Sequence, residues 1–288
     1  MSKYLAYNDL PALQGDRTPH RHWFLRTSYD YFDALHVCGE YTSKLISIRT
    51  QSIAPNKTIS FKSAFTSYFG WGYTTNIIQS GIRVEKGQTG ELTIDRTLAL
   101  NDPLHIFAAN KISEIDLSQI SENIAGSDVD FSGTYDDLLG SQLKKLILGV
   151  PKARMNTGVF NLSTSATEIQ GITTFNRMEY LDIQGMQYFV GLDMSAMHSL
   201  THFYAAGARL DSFNPASGSN LKVVELPTTV TSMQMDGCNL TGANNECIIK
   251  WYETIYNNDL PVRVEEVGIP STLRVLILSG MGTNLGTQ

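Results

Sequence analysis

Five residues carry side chains suited to contacting a partner: Tyr180, Asp182, His202, Tyr204 and Glu225. Tyr180 and Asp182 are two apart, as are His202 and Tyr204, so on extended strands each pair projects from one side. If the strands that carry them lie side by side, the five residues form an aromatic and acidic patch about two strands wide. Rings with hydroxyl and imidazole groups on a rigid surface suit contact with a sugar or a protein. The same positions also fit an ordinary solvated sheet face built from good strand formers. A third reading is a face covered by another domain, which the apolar Ile147, Val275 and Ile277 at matching positions would suit.

Other clusters are weaker. His20 and His22 have neither the spacing nor the third ligand of a metal site, and they flank Trp23 and Phe24. Gly81, Gly87 and Gly90 lack the strand, loop and helix order that cradles a phosphate. Gly218-Ser219 lacks the context of a nucleophile elbow. Asp128, Asp130, Asp136 and Asp137 do not have calcium-loop spacing and read as a solvated turn. Cys38, Cys238 and Cys247 have neither zinc nor disulfide-scaffold spacing and read as small buried side chains. No catalytic set, metal or cofactor is expected from these residues.

What must position the five is a recurring phrase: an apolar residue, two spacers, an apolar residue, one spacer, an apolar residue, then usually glycine. It occurs from Met178 to Gly185, Leu200 to Gly207, Leu221 to Pro227 and Val230 to Gly237, with outlying copies at Ile112–Leu117, Leu143–Gly149 and Leu273–Gly280. This is the phrase of a leucine-rich repeat. Its last two apolar positions face one side of a strand too short to shield them alone, so copies must stack into a ladder. The period is irregular: 22 residues separate Met178 from Leu200 and 21 separate Leu200 from Leu221, but only nine separate Leu221 from Val230. The 43 residues from Val230 to Leu273 leave room for an insertion. There Cys247, Ile248, Trp251 and Ile255 fall at helical spacing, which predicts a helix over 243–257.

The expected class is α+β and β-rich. Residues 1–19 read as an arm or linker, and 20–111 as a helix plus a small antiparallel β domain. Residues 112–288 read as an irregular leucine-rich-repeat solenoid with a parallel sheet. The predicted N-terminal helix spans His20 to His36, where Trp23, Phe24, Tyr31, Phe32 and Leu35 recur near helical spacing. A composition of 42% hydrophobic and only 17% charged residues suits a turn-rich β protein better than a helical bundle. A net charge of −6 without a basic cluster argues against nucleic acid, and no apolar run reaches the length of a membrane span. The start lacks the apolar core of a signal peptide, and no polar cap follows Leu278, which suggests one segment of a larger polypeptide.

Two families share these features. Leu226-Pro-Thr-Thr-Val-Thr-Ser-Met233 resembles the degenerate repeat of bacterial surface proteins. A longer resemblance, in order over roughly 20 to 240, is to large virion structural proteins of crAss-like phages of Bacteroides, in the tail and tail-tip (muzzle) apparatus. It rests on the aromatic stretch His20–Asp33, the phrase Ile106–Leu117, the units Leu181–Gly185, Gly191–Ser195 and Phe203–Gly207, and Glu225-Leu-Pro-Thr-Thr. The chain departs from that pattern at 243–257 and in ending at Gln288. The resemblance implies a non-catalytic structural component on the virion, whose partners are other virion proteins or copies of itself. The surface-protein likeness implies instead an adhesin on the bacterial cell surface that binds a host protein or glycan.

Overall fold

In a computed structural model, the described residues are 44–50, 55–64, 67–72, 80–94, 103–108, 112–120, 124–130, 143–149, 169–170, 175–186, 192–240, 247–257 and 260–278. The aromatic helix predicted over 20–36 lies outside them. Among the described residues there is no helix, so the α+β expectation gives way to an all-strand architecture.

The backbone of the molecule is one nine-stranded sheet. Its central strands are the predicted rungs: β7 (Ile112–Asp116), β9 (Lys145–Ile147), β11 (Tyr180–Asp182), β12 (His202–Tyr204) and β15 (Val223–Pro227), all parallel and adjacent in that order. The pairing is in register with the phrase: Ile115, Leu146, Leu181, Phe203 and Val224 face one another along one column, and all are buried. One apolar column shared by successive strands is what the period-two spacing demands, because a slip of one residue would turn every rung inside out.

The sheet is nonetheless not the purely parallel one expected. At one end β2 (Lys57–Ser63) pairs antiparallel with β7, and β5 (Thr89–Ile94) with β2, so strands from the region before residue 112 extend the ladder. At the other end lies the clearest correction. The segment predicted as a helical insertion over 243–257 contains β18 (Ile248–Asn257), which pairs parallel with β15 and then antiparallel with β19 (Leu260–Glu266). Ile248, Trp251 and Ile255 matched a helical period because both faces of this strand carry apolar groups. Its run of β-branched and aromatic residues favours the extended state.

A second six-stranded sheet contains β10 (Ile169–Gln170), β8 (Ile124–Asp130), β1 (Lys44–Thr50), β6 (Pro103–Ala108), β3 (Ser67–Gly72) and β4 (Ser80–Val84), adjacent in that order. It packs on the antiparallel end of the first. Phe61 and Phe69 stack at 4.6 Å, and the Trp71 indole donates to the Thr93 carbonyl at 3.0 Å.

The remaining strands complete each coil of the chain. β13 (Ser212–Phe213), β16 (Ser232–Gln234) and β20 (Val275–Ile277) form a parallel three-stranded sheet, while β14 (Asn220–Leu221) pairs with β17 (Asn239–Leu240). The phrase at Val230–Gly237 is therefore a different side of the coil, and Met233 stacks on Phe213 and Leu276 instead of on Val224. Phe203 and Phe213, ring centroids 5.1 Å apart, join the two sides through a common core. Gly185, Gly207 and Gly237 take positive φ at the corners, where a residue with Cβ would be strained.

Candidate functional site

The outer face of the nine-stranded sheet carries all five candidate residues. Tyr180 lies opposite His202, and Asp182 opposite Tyr204, which lies opposite Glu225. The three rings cluster: Tyr180 is 5.7 Å from His202 and 5.1 Å from Tyr204, with planes 28° and 37° apart. Lys145 caps the other side of Tyr180, its Nζ 4.9 Å from the ring centre. The rings thus spend their faces on one another and on a lysine. They leave edges, hydroxyls and His202 Nε2 for a partner, which suits a polypeptide better than a flat sugar ring. Thr201 Oγ1 lies 2.7 Å from His202 Nδ1.

The two acids are elsewhere in chemical terms. Asp182 is 6% exposed and Glu225 4%, so neither offers a carboxylate to solvent. Asp182 Oδ1 accepts from the Gln184 backbone amide at 3.0 Å, and Oδ2 accepts from Gln184 Nε2 at 2.9 Å. Gln184 Oε1 in turn accepts from Arg263 Nη1 at 2.7 Å, and the same guanidinium lies 3.6 Å from Glu225 Oε2. Arg263 also sits over the Tyr252 ring at 4.2 Å. The β18–β19 hairpin therefore reaches over the sheet and is tied to β11 and β15 by one buried cation. Gly149 lets this happen, since a Cβ there would collide with Asp182 Oδ1 and the Gln184 amide.

Lys145 sits on the face at the spacer position it shares with Tyr180 and His202, as the repeat phrase predicts, whereas Gln184, Arg263 and Tyr252 belong to the face although sequence reasoning did not group them with it. Gln184 sits in the slot between the last apolar residue of a rung and its glycine. Arg263 was hidden behind the mistaken helix, although Val262-Arg-Val264 alternates as a strand does.

Burial sets the charge state of the face. Desolvation, then the charges of Asp182 and Tyr204, raises the Tyr180 phenol, and desolvation followed by Glu225 raises Tyr204. Burial and then Lys222 hold the His202 imidazole below its ordinary value. Desolvation pushes Asp182 up to about 6, against the two Gln184 hydrogen bonds that pull it down. The aromatic cluster is thus a neutral hydrogen-bonding surface at pH 7. Burial also pushes the Cys238 thiol to about 11 and Cys247 to about 12, so neither is a ready nucleophile.

A pH dependence follows from Asp182. Its folded pKa is raised, so the folded state holds the proton more tightly than the unfolded chain. The stabilisation is full below about pH 4 and is lost as pH rises through about 6. The loss is of order 2–3 kcal/mol. Asp182→Asn should remove this slope: relative to the variant, the native chain should melt several degrees lower at pH 7.5 than at pH 4.5. His202 acts in the opposite sense and is common to both proteins, so it drops out of the comparison. A melting difference that stays constant across that range contradicts the assignment.

Among the described residues no group of three or more His, Cys, Asp or Glu is placed to hold a metal ion, and no helix is long and apolar enough to cross a membrane. No family model, curated protein or solved structure significantly matches the chain.

Proposed function

We propose that this chain is a non-catalytic structural and interaction component of a bacteriophage virion, in the tail or tail-tip assembly. Its broad sheet serves as a rigid scaffold and docking surface for other virion proteins or for copies of itself. The observation that carries the scaffold reading is the unbroken nine-stranded sheet, roughly 40 Å across at the usual strand spacing. Its outer face carries a row of stacked rings and a buried ion network. The virion assignment itself rests on the ordered resemblance over residues 20 to 240.

The alternative, a cell-surface adhesin for a host protein or glycan, draws on the Leu226–Met233 phrase. The aromatic cluster favours its glycan form less, because the Tyr180 ring is packed between His202, Tyr204 and the Lys145 ammonium. Antibody raised against the chain separates the two in immunogold micrographs of the encoding phage or cell. Gold on the tails of purified particles supports the virion reading. Gold on intact cells and none on particles overturns it.

A further inference from the structure

The far half of the β18–β19 hairpin depends on side chains for its hold on the sheet. β18 pairs with β15 only as far as Tyr252, and among the described residues its backbone from Glu253 to Asn257 pairs with β19 alone. Arg263 lies opposite Thr254 in that overhang. Its side chain, 4% exposed, reaches back to Gln184 Oε1 at 2.7 Å and to Glu225 Oε2 at 3.6 Å. The first of these contacts is conditional. A carboxamide has one accepting end and one donating end, so whichever end meets Asp182 leaves the other for Arg263.

Asp182 makes that choice. As a carboxylate it only accepts, Oδ1 from the Gln184 backbone amide at 3.0 Å and Oδ2 from Gln184 Nε2 at 2.9 Å, and Oε1 is left for the arginine. A proton taken up from solvent goes to Oδ2, since the backbone amide holds Oδ1. Oδ2 then donates, and two donors confront each other. Turning the carboxamide over gives Oε1 to Asp182 and points Nε2 at a guanidinium that cannot accept. Asp182 stays covered whatever the hairpin does, because its Oδ1 lies against Gly149, where an added Cβ would collide with it.

The neighbours bring this choice close to neutrality. Asp116 from β7 and Glu225 from β15 face Asp182 with like charge. Ile147 of β9 and Tyr204 of β12 lie opposite it, and Tyr180 shares its strand. On the hairpin Lys250 is held by Glu265 at 3.0 Å, and Arg263 is the cation that reaches the cluster. Desolvation, with a smaller push from the two acids, holds the Asp182 carboxyl at about 6.

We infer that Gln184 is a two-position relay: while Asp182 is ionised it ties Arg263 and the hairpin to the sheet, and when Asp182 takes a proton its carboxamide turns over and releases the guanidinium to Glu225 alone. Asp182 then has two effects of opposite sign. Acid favours the folded chain as a whole, because the carboxyl is raised above its value in the unfolded chain. Acid also loosens the hairpin, because the bond to Arg263 needs the carboxylate. The relay stands apart from the virion reading and neither needs the other.

Native-state hydrogen exchange of the full chain at about pH 5 and about pH 7.5, expressed as protection over the free-peptide rate at each pH, reads the hairpin separately from the whole. The amides of 253–257 bonded to β19 should lose roughly tenfold in protection at the lower pH, the least that one hydrogen bond to a charged group contributes. The Ala205 amide, bonded to the Glu225 carbonyl within the sheet, should lose none. Asp182→Asn is the sharper test. With its Oδ1 kept on the backbone amide, its Nδ2 donates where the protonated acid does. Its hairpin should be as loosely held at about pH 7.5 as that of the parent at about pH 5, and should no longer respond to pH. Parent protection that is equal at the two pH values overturns the relay. So does Asp182→Asn with a hairpin as tight as the parent's at about pH 7.5, or with a pH response of its own, which would belong to another group such as His202.

Discussion

Phe203→Ala is expected to destabilise the chain by roughly 3–5 kcal/mol, the usual cost of deleting a buried aromatic ring. Phe203 is fully buried, sits between Leu181 and Val224 in the central column, and stacks on Phe213 of the other side of the coil. Truncation therefore opens a void where two sheets meet, and the flanking strands cannot close it without losing register. In a chain of this size the loss corresponds to roughly 5–8 °C in melting temperature. Phe203→Leu, which keeps most of the volume, should cost far less. Urea titrations of both variants measure this, and an alanine variant within about 1 kcal/mol of the native chain would mean that the two sides do not share a core.

The second large effect is at Arg263. Arg263→Met should cost about 3–5 kcal/mol, because it strips a buried carboxylate of its neighbouring cation. Beyond the β15–β18 backbone pairing, the guanidinium adds a side-chain link from the β18–β19 hairpin to the sheet face, reaching Gln184 and Glu225 at once. Adding Glu225→Gln should recover much of the loss, since it removes the buried carboxylate left without its neighbouring cation. Denaturation of the two single variants and the double variant gives the coupling directly. Hydrogen exchange should show amides of 251–257 opening early in Arg263→Met alone. Additive losses would mean that the two residues do not act on each other.

The central rungs were legible because their signal is local. Leu146, Leu181, Phe203 and Val224 each sit at one fixed place in a phrase that only stacking can satisfy, and the registers follow it. The phrase does not say which side of a coil a copy occupies. Val230–Gly237 has the right spacing, yet follows Leu221 by nine residues, and that proximity was the clue that the chain had turned a corner. The hairpin was misread because spacing was weighed above residue type. Ile248-Ile-Lys-Trp-Tyr-Glu-Thr-Ile-Tyr256 is rich in β-branched and aromatic residues, and Asn258-Asp259 suits a two-residue hairpin loop. Tyr180, His202 and Tyr204 were brought together as the spacing implied. The burial of Asp182 and Glu225 was not readable, because Arg263 lies 38 residues beyond Glu225 on a strand that the pattern had hidden.

The claim on which the scaffold depends is that antiparallel strands, coils and hairpin form one continuous plate. Native-state hydrogen exchange addresses it through four amides that stitch successive strands: Leu117 to the Ile147 carbonyl, Leu148 to Asp182, Ile183 to Tyr204 and Ala205 to Glu225. If the plate is continuous, all four exchange through one common opening and share its free energy and denaturant dependence. Leu117 exchanging through a separate, lower-energy opening while Ile183 and Ala205 stay protected would contradict it.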